Sequence, residues 1–343
     1  MYNLSFGLRR NPFNMTPDPA FLFLTPQHRE ALVGLTYAIL QRKGFVVLTG
    51  QAGTGKTTLL ARVLQFLPGS RLQFSLVTNP TLTPSEFLEL ALLDFGLTEI
   101  PASKAQRLWK LQKLILDGHH KGRVSALVVD EAHKLSPEVL EEIRLLGNFE
   151  DADQKLLQIL LVGQTELNDV LNRQDLRQLK QRIGVRLVIG PLSTSDVSQY
   201  IRHRWVVAGG THPPFTAQAV AGIAAASGAI PRLVNSLCDN ALTIAFAEGV
   251  KEVQARHVQM AAADLQLADP AAHSQPGPMI VQATTAPMIV EVTPPTEGPA
   301  PEPVNAFSSS TSKLLNGSAS KSSMWSKWRE RLGIAPGDEA TQE

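Results

Sequence analysis

The chain has 343 residues, 43% of them hydrophobic and 6% aromatic, and its 32 Lys plus Arg against 31 Asp plus Glu leave a formal charge of +1. That length suggests about two domains with a substantial core, and a sum so near neutral neither demands nor excludes a nucleic-acid partner, which a local basic patch would decide. No uninterrupted apolar run approaches the ~18–20 residues of a membrane-spanning helix, Arg9 and Arg10 are followed by no apolar signal-peptide region, and the single Cys238 excludes an internal disulfide framework, so a reducing, cytoplasmic location is expected.

Residues 1–24 are broken by Asn11-Pro12-Phe13 and Pro17-Asp18-Pro19 and read as irregular, with Phe21 and Phe23 expected to pack against the domain that follows. Thr25-Pro26 has the form of an N-cap followed by proline at the first helical position, and a helix is predicted from there to about Arg42, ended by Gly44. Phe45 to Leu48 is a continuous apolar run of the kind buried on both faces of a parallel sheet, and it stops abruptly in GQAGTGKTT, residues 50–58. Further strands are predicted at Arg71–Thr78, Val124–Val129, Leu156–Val162 and Val185–Ile189. Between them, helices are signalled by the capping box Thr83-Pro84-Ser85-Glu86, by Ser103–Asp117 and by Ser136-Pro137. This alternation predicts an α/β fold with a five-stranded parallel sheet and helices on both faces.

After Gly190-Pro191 the strand signal ends. Ser193-Thr194-Ser195-Asp196 reads as another capping box, and helical periods run through Ala217–Ala226, Arg232–Phe246 and Ala255–Leu265, predicting a small all-helical unit. Residues 268–320 are rich in Pro, Ser and Thr and are expected to be a disordered linker. Beyond them, Met324, Trp325, Trp328 and Leu332 recur at helical spacing among Lys327, Arg329 and Arg331. That pattern predicts an amphipathic basic tail, residues 321–343, that docks on a partner protein or a membrane surface.

Residues 50–57 fit G-x-x-x-x-G-K-[ST] between a strand and a helix, the context a phosphate-binding loop requires. Gly50, Gly53 and Gly55 permit a tight turn that aims backbone N–H groups at a polyphosphate, and Gln51, Ala52, Thr54 and Thr58 complete the cradle. Lys56 is placed to reach the β- and γ-phosphates and the Thr57 hydroxyl to ligate Mg²⁺. The third predicted strand ends in Asp130-Glu131, which puts Asp130 where it can hold Mg²⁺ and Glu131 where it can polarise water for attack on the γ-phosphate. ATP and Mg²⁺ are therefore the expected ligands. His133 reads as structural, and His119-His120 as a solvated loop rather than a metal site. Gln164, at the end of the fourth strand, is placed to position water and report the γ-phosphate. Arg173, Arg177, Arg182 and Arg186 approach the fifth strand, where a guanidinium projected at a neighbouring subunit's nucleotide would act as an arginine finger. Arg232, at a helix start after Pro231, would bring the helical unit over the nucleotide as a lid. The expected organisation is an α/β nucleotide-binding domain with its N-terminal extension at 1–191 and a lid at 192–267.

The segments GQAGTGKTT, VVDEAH, VGQTEL, LRQLKQRIGVR and GAIPRLVN, in that order, resemble an AAA+ ATPase. More narrowly, FGLRRNPFNMTPDPAFLFLTPQHREAL followed by GFVVLTGQAGTGKTTL resembles the ExeA/GspA family of general secretion pathway ATPases, and the resemblance covers residues 5–265. It implies Gln164 as sensor 1, Arg232 as sensor 2 and Arg182 as the finger, with Arg177 and Arg186 as rivals for that last role. It also implies an ATP-dependent homo-oligomer that works with an inner-membrane partner from the cytoplasmic side to assemble a type II secretion, pilus or exopolysaccharide-export system. The family's transmembrane helix and peptidoglycan-binding region are not found in residues 268–343, so membrane contact is expected to be peripheral. The alternative is an ATPase that binds DNA and selects target sites for transposition, with salt-sensitive binding as its signature. A third reading is a nucleotide switch with negligible turnover.

Overall fold

The computed structural model describes residues 2–67, 71–78, 81–151 and 154–267; the expected linker at 268–320 and tail at 321–343 lie outside the described residues. Strands β1 (Phe45–Gly50), β2 (Leu72–Val77), β3 (Val124–Val129), β4 (Leu157–Gly163) and β5 (Ile183–Ile189) form one parallel sheet in the order β2-β3-β4-β1-β5. The α/β class and the five parallel strands are those expected from the sequence. β1, β3 and β4 are buried along their whole length. Phe45, Val47, Leu127 and Ile159 fill the core on one face, and Val46, Leu48, Val128 and Leu160 the core on the other. Side chains alternate between faces along a strand, so a run apolar at every position suits a sheet sealed on both sides. Each fully buried Val or Leu contributes about 1.5–3 kcal/mol. β5 is an edge strand whose exposure alternates, with Leu187 packed under Gly34 of the first long helix.

Among the described residues five long helices cover the sheet, α1 (Pro26–Leu40), α2 (Lys56–Phe66), α3 (Pro84–Asp94), α4 (Lys104–His120) and α5 (Pro137–Leu146), and the short helices Leu167–Leu171 and Arg177–Gln181 add Leu167, Leu171 and Leu179 to the core. The anticipated caps at Thr25, Thr83 and Ser136 form, while the expected box at Ser193 closes on one side only, through the Asp196 N–H. The Thr25 hydroxyl oxygen accepts the His28 N–H at 3.3 Å, and Thr83 and Glu86 close a reciprocal capping box with bonds of 2.8 and 3.3 Å. α1 stops at Leu40, and the chain leaves it through left-handed Arg42 and Gly44. α4 runs on to His120, so the two histidines finish a helix instead of lying in a loop. A two-residue antiparallel pairing of Glu150–Asp151 with Gln154–Lys155 was not anticipated. Its residues are polar and too few for any period to show.

α6 (Thr194–Val207), α7 (Ala217–Ser227), α8 (Pro231–Ala247) and α9 (Ala255–Asp264) enclose a third core containing Val197, Trp205, Leu237 and Leu242. The N-terminal segment forms a short helix at Tyr2–Ser5 and a 3-10 turn at Pro19–Phe21. It joins this third core through Leu8, Phe13 and Phe21, and the Phe23 ring lies against Tyr200 and His203. Phe21 and Phe23 therefore pack on the helical unit and not on the sheet, whose faces are already covered. Buried Arg204 of α6 ties the two together: its Nε donates to the Pro12 carbonyl at 2.5 Å, one Nη donates to the Tyr200 hydroxyl at 3.2 Å, and its guanidinium lies 4.8 Å from the Phe21 ring centroid. A buried cation persists where such acceptors and ring faces surround it.

Candidate functional site

β1 carries the glycine-rich loop at its C-terminal end, and α2 starts directly beyond it at Lys56. Gly53 and Gly55 adopt φ of +82° and +96°, the left-handed region that a side chain disfavours. Lys56 is only 7% exposed, and its Nζ donates to the carbonyls of Gly50 and Gln51, both at 2.8 Å. Burial pulls the Lys56 pKa down, against the opposing pull of Glu131, Asp130 and Glu166. The next residue joins the loop to the end of β3: the Thr57 hydroxyl donates to Asp130 Oδ2 at 3.0 Å. The other Asp130 oxygen accepts the Glu131 N–H at 2.9 Å. Burial pushes the Asp130 carboxyl up, and these two hydrogen bonds hold it back. A hydroxyl and a carboxylate in contact are hard oxygen donors, the set that Mg²⁺ takes alongside phosphate oxygens. Among the described residues no group of three or more His, Cys, Asp or Glu could hold a metal.

Glu131 follows β3 with φ of 54°, a left-handed conformation uncommon for a residue with a side chain. It shares a cleft of about 480 Å³ with the loop, with Gln164 at the end of β4 and with Arg232 of α8. The structure thus gathers Lys56, Thr57, Thr58, Glu131, Gln164 and Arg232 around one space. The Arg232 N–H donates to the Gly53 carbonyl at 3.2 Å, so the helical unit touches the loop directly. Ala229, just before α8, is left-handed with φ of 57° and helps swing Pro231-Arg232 onto the loop.

The closeness of that contact makes Gly53 a sensitive position. A Cβ at Gly53 would lie 2.6 Å from the Cβ of Arg232, well inside van der Waals contact. Gly53→Ala is expected to cost roughly 1–2 kcal/mol from its backbone conformation, and displacing Arg232 should weaken nucleotide binding by about tenfold more. Gly96→Ala is the control, because Gly96 has φ of +98° with nothing within 4 Å. Nucleotide titration of the two variants, with melting temperatures alongside, separates backbone strain from the loss of the contact with Arg232.

No motif or spacing in the chain marks the other cleft walls. Asn14, Phe21, Tyr200 and Asn235 line it, supplied by the N-terminal segment and the helical unit. His28 was also unanticipated: its Nε2 lies 3.1 Å from the Thr54 carbonyl and its Nδ1 2.6 Å from the Thr25 hydroxyl, and burial lowers its pKa. A neutral ring with the proton on Nε2 satisfies both contacts and braces the loop from the first turn of α1. Nothing in helical periodicity marks such a residue; only the segment TPQHREAL, within the family resemblance, contained it.

Arg182 does not line the cleft of its own chain. Its guanidinium donates to Asn148 Oδ1 at 2.6 Å and to the Arg144 carbonyl at 3.1 Å, satisfying the C-terminal end of α5. Arg173 pairs with Asp175 at 2.9 Å, and Arg177 and Arg186 are exposed.

A phosphate-type loop between strand and helix, an acidic strand end bonded to it and a helical unit resting on it define the AAA class of P-loop ATPases. An AAA domain matches residues 39–171. The chain is similar to general secretion pathway protein A of Aeromonas hydrophila, 42% identical over 266 residues, 76% of this chain. It spans about half the length of that relative, 48%. In fold it is similar to Aeropyrum pernix ORC2, with a TM-score of 0.57 at 16% identity over 74% of this chain and 71% of that one. Cdc6p from Pyrobaculum aerophilum gives a TM-score of 0.55 at 17% identity, over 72% and 70%. At those identities the likeness is one of fold. No helix of the described residues is long and apolar enough to cross a membrane.

Proposed function

We propose that the chain hydrolyses ATP and uses the cycle to drive assembly of a cell-envelope system from the cytoplasmic side. The observation that carries the hydrolase reading is the 3.0 Å contact from Thr57 to Asp130, which joins the phosphate loop to the acidic strand end with Glu131 next in sequence in the same cleft. Lys56 holds the β- and γ-phosphates, with the loop from Gly50 to Thr58 as their cradle. Thr57 and Asp130 hold Mg²⁺, which when bound neutralises charge on the phosphate oxygens. Glu131 takes a proton from water as the water oxygen attacks the γ-phosphorus and the bond to the β–γ bridging oxygen breaks, leaving ADP and phosphate. Gln164 and Arg232 contact the γ-phosphate, one from the sheet and one from the lid. Arg182 is the finger offered to a neighbouring subunit in an ATP-dependent homo-oligomer, once it leaves Asn148.

Similarity to a protein named for the general secretion pathway supports the envelope role, with an inner-membrane partner contacted through residues 321–343. The purified chain is expected to release phosphate from ATP only when Mg²⁺ is present. Tight nucleotide binding with no phosphate release would leave a switch and overturn the hydrolase reading. Adding duplex DNA tests the transposition alternative: salt-sensitive, ATP-dependent retention on DNA would favour it over envelope assembly.

A further inference from the structure

We propose that His133 is a positioning residue that couples the end of β4 to the Glu131 carboxylate. It lies in the 3-10 turn Ala132–Lys134 that follows β3, and its ring bridges the two strand ends. The Gln164 N–H donates to His133 Nδ1 at 3.3 Å. That bond needs a lone pair on Nδ1, so the neutral ring carries its proton on Nε2. Nε2 faces Glu131 Oε2 at 3.5 Å. This oxygen is shielded from water and accepts no hydrogen bond; the Lys134 ammonium also lies 3.8 Å from it. The approach is tight on the strand side too, since a Cβ on Gly163 would sit 3.2 Å from the His133 backbone nitrogen. Glu131 is thus held in a left-handed backbone conformation with one oxygen poised in front of the imidazole.

The ring is rigid. A movement of the Gln164 main chain, as its amide engages the γ-phosphate, is therefore carried to Nε2 and changes how Glu131 is held. His133 converts the presence of the γ-phosphate into alignment of the carboxylate that acts on water. This rests on the hydrolase reading proposed above.

Two substitutions test it. His133→Ala removes both contacts and is expected to lower kcat about 10–100-fold, with KM and nucleotide affinity changed by no more than about twofold. His133→Asn offers an acceptor where Nδ1 stood and so keeps the Gln164 bond, but it cannot reach Glu131. A residue that only tied the strands together would be rescued by asparagine; a coupling residue leaves this variant as slow as the alanine one. Wild-type kcat in His133→Asn overturns the proposal, as does a change confined to KM. If the unmodified chain releases no phosphate, the hydrolase reading fails and takes this inference with it. If that chain turns over normally and both variants match it, only the inference falls.

Discussion

Replacing Glu131 with glutamine is expected to cut the rate of ATP turnover by about 10²–10⁴, the range a positioned general base contributes. The amide keeps the size and shape of the carboxylate but cannot take a proton from water. Little else should change. The contacts of Glu131 with the His133 ring and the Lys134 ammonium lie at 3.5 and 3.8 Å on a side chain 38% exposed, so their loss costs stability at most about 1 kcal/mol. Removing a negative charge beside the phosphates should leave ATP bound as well as before, or somewhat better. Single-turnover phosphate release beside a nucleotide titration makes the measurement, and turnover at the wild-type rate would remove Glu131 from the role of base.

Lys56→Ala is expected to act on the other half of the cycle, lowering ATP affinity by about 30- to 3,000-fold. Truncating one partner of a buried, hydrogen-bonded charge pair costs about 2–5 kcal/mol, and each 1.4 kcal/mol is tenfold. The fold should survive. The two carbonyls of Gly50 and Gln51 lose a charged donor, but burial has pulled the Lys56 pKa down. The sign of that shift means that the charged form costs folding stability at pH values below the unfolded lysine pKa, and the alanine variant is relieved of this cost. Melting temperature is therefore expected to move by only a few degrees. A variant that still binds ATP within a few-fold of wild type would contradict the placement of Lys56 against phosphate.

The sheet was legible because its signal is local. Phe45 to Leu48 and Ala126 to Val129 are apolar at every position, as suits a strand covered on both faces. The boundaries shifted by one or two residues, as at β5, which begins at Ile183 instead of Val185. The loop was legible for a similar reason: glycine, lysine and threonine at fixed spacing in sequence become neighbours in space whatever the rest of the chain does. Asp130 and Glu131 followed, because a residue just past an apolar strand must emerge at the sheet's end. His133 carries no such local signal, because its two partners, Glu131 and Gln164, follow the ends of two different strands. Arg182 shows the reverse case. A basic residue before the last strand suits a finger, while the acceptors it meets in its own chain, Asn148 and the Arg144 carbonyl, lie far away in sequence.

The sequence by itself determined the nucleotide loop, the acidic strand end, the parallel α/β layering and the change to helices after Pro191. Each is written in a period or spacing of a few residues. Tertiary structure alone decided where the N-terminal segment goes, why Gly53 must lack a side chain and which residues wall the cleft. Phe21 meets the helical core and not the sheet, Gly53 lies against Arg232, and His28 reaches the Thr54 carbonyl. Those contacts join residues tens to hundreds of positions apart. Their geometry depends on how whole layers stack, and no local pattern of residues carries that information.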